Sequence, residues 1–150
     1  MIKEKVLYNS SETFSSELYE ENKMAAISTR KLMDTDWRTQ HICVLDATAN
    51  SDVLIIDNSS LSGWVAGSKL AISKLYWTTD SPSAGFKLIF KGTGGTDTIF
   101  MFTGNGTYGF TGGQPALICD HTSVTAVTCD LHITNATANG SIFIECTKKQ

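Results

Sequence analysis

Along the C-terminal part of the chain apolar and polar residues alternate with a period of two, the spacing that sends successive side chains to opposite faces of a β-strand. Over residues 115–148 this predicts three antiparallel strands sharing one apolar face. A turn at Val124 and Thr125 sets Cys119 opposite Cys129 and Leu117 opposite Leu131. A second turn over residues 135–140 sets Cys129 opposite Cys146, Leu131 opposite Ile144 and Ile133 opposite Ile142. The apolar face also takes His121 and Val127. The other face collects Asp120, Thr128, Asp130, His132, Glu145 and Thr147, with Ile118 and Phe143 as exceptions. Segregation of this kind fits an antiparallel sheet with one buried side.

Shorter signals precede it. Residues 41–46 and 52–57 are apolar runs joined by a turn-rich link, which predicts a hairpin. Residues 69–79 read as a longer strand with Leu70, Ile72 and Tyr76 on one side, Leu75 and Trp77 on the other, and a bulge near Lys74 where the alternation breaks. In residues 86–91, Phe86, Leu88 and Phe90 point inward and Lys87 and Lys91 outward. A turn over residues 92–97, a strand over 98–102 and a glycine-rich excursion over 103–113 follow. About eight strands at such spacing predict an all-β fold, an antiparallel β-sandwich of jelly-roll-like form over residues 41–150, with immunoglobulin-like connections as the alternative.

Residues 1–40 differ and read as an N-terminal arm and linker. Residues 10–23 are polar and acidic, and Phe14, Leu18 and Tyr19 have the spacing of a short helix over 11–23. A helix of that length is marginal in water, so the segment reads as either a mobile arm or one that a partner orders. Residues 25–40 show little period, with Leu32, Met33 and Trp37 as candidates to pin them to the body, and Met24 is a candidate internal start.

Composition narrows the function classes. Charged residues are 18% of the 150, below the usual ~25%, so Ser, Thr, Asn and Gly must cover the surface. Net charge is −3 with scattered basic residues, which argues against nucleic acid and anionic membranes as partners. No apolar run is long enough to span a bilayer, and the N-terminus lacks the apolar centre of a secretory signal.

The polar residues with chemical potential have plainer readings. Cys43, Cys119, Cys129 and Cys146 lack paired spacing and read as reduced, buried thiols, although the row of three permits a cross-strand disulfide. Cys119, His121, Cys129 and Cys146 are the nearest approach to a zinc set, but they sit amid aliphatic residues, so no metal and no cofactor is expected. Asp120, Asp130 and His132 lack a nucleophile beside them and read as a solvated face. Gly92 to Thr96 lacks the Lys-Ser/Thr of a phosphate loop and reads as a turn. The Asn-x-Ser/Thr triplets at Asn9, Asn58, Asn105, Asn135 and Asn139 fit a turn-rich chain. Nothing here predicts an enzyme.

A polar arm followed by a Thr/Gly-rich β-domain resembles, in overall organisation, the small accessory virion proteins of tailed bacteriophages, above all capsid decoration or cement proteins. The resemblance implies a homotrimer made in the host cytoplasm and carried on the capsid surface of the virion, with the major capsid protein lattice as partner. It makes the arm over residues 1–30 and the loop over residues 103–113 the contact regions, and Phe14, Leu18, Tyr19, Tyr108 and Phe110 the candidate partner-binding residues. Residues 2–8 are candidates to add a strand to an exposed sheet edge. A carbohydrate-binding, lectin-like module of a tail or fibre is the alternative, with Trp64, Tyr76, Trp77, Tyr108 and Phe110 as a possible sugar platform.

Overall fold

The computed structural model describes residues 27–80, 85–92, 95–119 and 127–150. Phe14, Leu18, Tyr19, the expected helix over 11–23, Asp120 and His121 lie outside them. Among the described residues ten strands run in chain order: β1 Ile27–Asp34, β2 Arg38–Asp46, β3 Asn50–Ile56, β4 Lys69–Thr79, β5 Phe86–Gly92, β6 Gly95–Phe102, β7 Gly106–Tyr108, β8 Leu117–Ile118, β9 Val127–Asn135 and β10 Asn139–Lys149. They form two antiparallel sheets. The broad sheet has the order β1-β2-β10-β4-β7, with β8 also paired to β4, and the narrow sheet the order β3-β9-β5-β6.

With β1 set aside and β7 and β8 taken as two pieces lying along β4, the strand orders are those of a jelly roll. The expected fold class is therefore present, with ten strands instead of about eight. One addition is the splitting of the β4 partner into two short pieces. The other is β1, which lies inside the stretch read as linker, so the sandwich begins by Ile27. Its sequence carried little period because Ile27 is buried while the next five residues are exposed.

Pairing differs from the sequence expectation in three places. Residues 41–46 and 52–57 do not form a hairpin: β2 pairs with β1 and β10, β3 with β9 across the sandwich. Leu117 pairs with Ile72, not with Leu131. Ile133 pairs with Val53 and Leu88, while Ile142 pairs with Cys43 and Trp77, so β9 and β10 occupy opposite sheets. The face assignment survives, since Cys129, Leu131, Ile133, Ile142, Ile144 and Cys146 are all buried. Two strands facing each other through a core carry the same alternation as two neighbours in one sheet. The pattern therefore identifies the inner face and leaves the partner open.

The bulge near Lys74 is present: Glu145 lies opposite Lys74 and Cys146 opposite Ile72, leaving Ser73 as the extra residue. It shifts the alternation by one, so Leu70, Ile72 and Leu75 are buried while Tyr76 faces solvent, the reverse of its expected side. Beyond the bulge Trp77 turns inward onto Phe100 and Phe102. Gly106 lies beneath that indole, where a Cβ would come within 2.4 Å of the ring. Phe86, Leu88 and Phe90 fill the core from β5 as expected, and each such buried side chain contributes about 1.5–3 kcal/mol.

Cys119, which follows β8 in the broad sheet, forms a disulfide with Cys129 of β9 in the narrow sheet, with Cα atoms 5.7 Å apart. Proximity of these two residues was legible in the sequence, but the reduced thiols expected there are joined, and the bond ties the two sheets together where a ladder within one sheet was expected. Cys43 and Cys146 remain buried thiols. Burial pushes both up to about 12, helped at Cys146 by Glu145 and Cys43. Buried Asn58 and Asn135 serve the crossings between sheets. Asn58 Nδ2 donates to the carbonyls of Ser68 (2.8 Å) and Thr128 (3.1 Å), and Asn135 exchanges two 3.0 Å hydrogen bonds with the backbone of Ala138.

Candidate functional site

Of the polar residues singled out for chemistry, Asp130 and His132 are engaged in structure. Asp130 Oδ1 accepts from the backbone N–H of Asn58 at 2.9 Å, and so holds the loop after β3. His132 Nδ1 lies 3.3 Å from Asp52 Oδ1, and Lys91 pairs with the same carboxylate. Burial and the charge of Lys91 lower the His132 pKa. His41 sits on the inner side of β2 with Nε2 2.7 Å from Thr39 Oγ1. Burial, with Lys31 nearby, pushes it down to about 4, so it is neutral at physiological pH. It borders a cavity of about 280 Å³ lined also by Thr29, Lys31, Leu54, Ile56 and Leu61. Among the described residues no three His, Cys, Asp or Glu side chains are grouped to hold a metal ion.

The expected aromatic contacts separate. The Tyr108 hydroxyl donates to the Pro115 carbonyl at 2.5 Å and its ring meets Phe100 edge-on, so Tyr108 is half-buried scaffolding. Phe110 is 53% exposed, with Lys74 Nζ 5.7 Å from its ring centre. Trp77 is packed against the core, whereas Trp64 and Tyr76 are exposed, so the five aromatics do not make one platform. Leu32 is 47% exposed, and Trp37, expected with Leu32 and Met33 to pin residues 25–40 to the body, is 78% exposed. Trp37 sits in the β1–β2 turn, which Lys148 pins: Nζ donates to Asp34 Oδ1 (2.5 Å) and to the carbonyls of Thr35 (2.5 Å) and Ser62 (2.7 Å). Burial opposes the charge on Asp34, but hydrogen bonds from Lys148, Ser62 and Lys31 hold its pKa below the ordinary value.

The outer face of the broad sheet is where apolar side chains meet solvent in register. Arg30, Ile42, Phe143, Tyr76 and Thr107 form one row across β1, β2, β10, β4 and β7. Val44 stands one row away; it and Tyr76 are each 47% exposed. On the other side of the row Gln40, Glu145 and Lys74 lie abreast. Glu145 accepts from Gln40 Nε2 at 2.7 Å and Ser73 Oγ at 3.2 Å, with Arg38 and Lys74 at 3.6 and 3.7 Å. Burial works against its charge, but Gln40, Lys74, Ser73 and Arg38 together keep its pKa below the usual range. Phe143 and Ile118, the two exceptions to the polar alternation, both belong to this sheet. Ile42-Cys43-Val44-Leu45, apolar at four consecutive positions, carried the same signal: a strand apolar on both parities has two faces to cover.

Comparison with known proteins finds no matching family model, no matching curated protein and no matching solved structure.

Proposed function

We propose that this protein is a non-enzymatic structural component of a virion, a capsid decoration or cement protein that binds the shell through its N-terminal arm and loops and stabilises it. The observation that supports the reading is the division of labour among side chains. Asp130, His132, Asn58 and Asn135 are engaged in holding the sandwich together, while an apolar row faces outward on one sheet. Many weak copies of such a contact add up on a repeating lattice through avidity. The test is co-sedimentation of the purified protein with empty shells assembled from the shell protein of the same genome, with and without residues 1–23. Saturable binding that raises the shell's melting temperature, lost on deletion, is expected together with a trimer mass in light scattering. Shells that neither bind nor gain stability would overturn it.

One observation favours a sugar-binding reading instead: Trp37 and Trp64 are both exposed, and they flank the Lys148-pinned corner, where Ser62 Oγ donates to Asp36 Oδ1 at 2.8 Å. Glycan-array binding abolished by Trp37→Ala and Trp64→Ala would support it.

A further inference from the structure

We propose that the cavity beside His41 is a binding site for a small uncharged ring molecule of the phenol class, whose hydroxyl donates a hydrogen bond to the imidazole Nδ1. The inference does not rest on the shell reading, since it concerns a pocket within one chain.

A short run of hydrogen bonds decides where the imidazole carries its proton. Thr39 Oγ1 stands 3.0 Å from the Met33 carbonyl and 2.7 Å from His41 Nε2. The hydroxyl has one proton and the carbonyl can only accept, so that proton goes to Met33. Nε2 then holds the proton of the second bond and donates it to Thr39. Burial, with the charge of Lys31 nearby, pushes the pKa down to about 4, so the ring is neutral and Nδ1 is left with a bare lone pair. Among the described residues no group donates to it, although His41 is only 6% exposed. No side-chain nitrogen or oxygen among those residues is both sealed and unpaired. Nδ1 is therefore reached from the cavity that His41 lines.

Strand alternation puts this acceptor at the margin of the core. Thr39, His41, Cys43 and Leu45 of β2 all point inward. In register, His41 lies between Ile144 on β10 and Lys31 on β1. β1 is the sheet edge, and the cavity of about 280 Å³ lies there, between the β1–β2 pair and residues 54–61.

The lining fixes the chemistry of the ligand. Leu54, Ile56 and Leu61 form an aliphatic wall, which favours apolar surface withdrawn from water. Nδ1 requires a donor, which excludes an ether, a ketone or a carboxylate as the group that meets it. Thr29 and Lys31 on the β1 wall are donors towards an oxygen; the Lys31 ammonium has three protons, of which Asp34 takes one. A hydroxyl both gives and accepts, and so answers both. Asp57 shares the lining with Lys31, so the rim carries both signs and favours an uncharged ligand. An apolar cavity of about 150 Å³ holds benzene, so this one takes a single substituted ring and not an oligosaccharide. Water can meet Nδ1 but gains nothing from the aliphatic wall, so a ring hydroxyl displaces it.

The test is titration of the full chain with p-cresol and with toluene, the same ring without its hydroxyl, followed by amide and imidazole NMR. Saturable binding of p-cresol is expected, about tenfold tighter than that of toluene, the worth of one hydrogen bond. Amide shifts should centre on Thr29, His41, Ile56 and Leu61, while Met101 on the narrow sheet stays still. The His41 ring should carry its proton on Nε2 before addition, and its Nδ1 resonance should move with p-cresol alone. In His41→Phe, p-cresol should fall to the affinity of toluene, with the amide spectrum showing that the variant is folded; if it is not, the two probes on the wild type decide. Equal affinity for the two probes, no saturation by either, shifts centred elsewhere, or a proton found on Nδ1 would each overturn the proposal.

Discussion

The two outer faces of the sandwich solve the same problem differently. On the narrow sheet β9 presents Thr128, Asp130, His132 and Thr134 between strands carrying Asp52, Lys87 and Lys91, and its polar groups interlock. On the broad sheet Ile42, Val44, Phe143 and Tyr76 stand outward, and the one carboxylate in their midst is buried and held by four neighbours. The narrow sheet also exposes apolar side chains, Leu54 and Met101, but on its two outermost strands, β3 and β6, with the polar row of β9 between them. The broad sheet gathers Ile42, Phe143 and Tyr76 abreast on three adjacent strands. Strand β1, the addition to the jelly-roll set, widens the second face and not the first.

The two sheets are joined by one covalent link, so the largest effect should come from cutting it. Replacing Cys119 and Cys129 together by Ser is expected to lower stability by about 3 kcal/mol, the loop-closure term for so short a separation, measured by urea unfolding. A loss below about 1 kcal/mol would mean that the sheets are held together by the core alone.

The histidines of the two sheets sharpen the comparison next. His41 faces the interior of the broad sheet and His132 the exterior of the narrow one. His41 falls from its ordinary 6.5 to about 4 on folding, so the unfolded chain binds its proton first. Its stabilising contribution is complete above pH 6.5 and is lost as pH falls towards 4, with about 2 kcal/mol gone at pH 5 relative to pH 7.5. His41→Gln should flatten most of this slope in pH-dependent unfolding, and His132→Gln less of it, since both shift in the same direction but His132 is less enclosed.

A smaller contrast is expected at the carboxylates. Glu145→Ala should cost about 1–2 kcal/mol, because Gln40 and Ser73 lose their acceptor and Arg38 and Lys74 are left facing each other. Asp52→Ala on the narrow sheet should cost less than about 0.5 kcal/mol, since that pair is open to solvent. Equal losses, measured by thermal unfolding, would erase the distinction between the faces. The smallest stability effect belongs to Tyr76→Ser, within about 0.5 kcal/mol. Its signature is expected in reduced retention on a hydrophobic column, a change that Met101→Ser should not reproduce.

Much of the interior could be read from residues alone, because alternation reports which side of a strand is buried. Phe86, Leu88 and Phe90, the Cys119–Cys129 neighbourhood and the bulge at Ser73 were all legible in this way. Strand partners were not, since Ile133 and Ile142 look the same whether they lie side by side or across the core. β1 was missed because a strand at a sheet edge with one buried residue has no period to detect. The outer face was half legible: Phe143 and Ile118 broke the polar alternation, and only the register with Ile42 and Tyr76 turns two exceptions into a surface. Trp37 was misread as an anchor to the body, because its exposure depends on where Lys148, far along the chain, holds its turn.

Strand β10 comes last in chain order and yet sits in the middle of the broad sheet, between β2 and β4. Until it leaves the ribosome those two strands have no common neighbour, and the apolar sides of both remain bare. Acquisition of the native state therefore waits for residues 139–149 to be made, and a nascent chain stalled before Asn139 would be a substrate for chaperones and proteases.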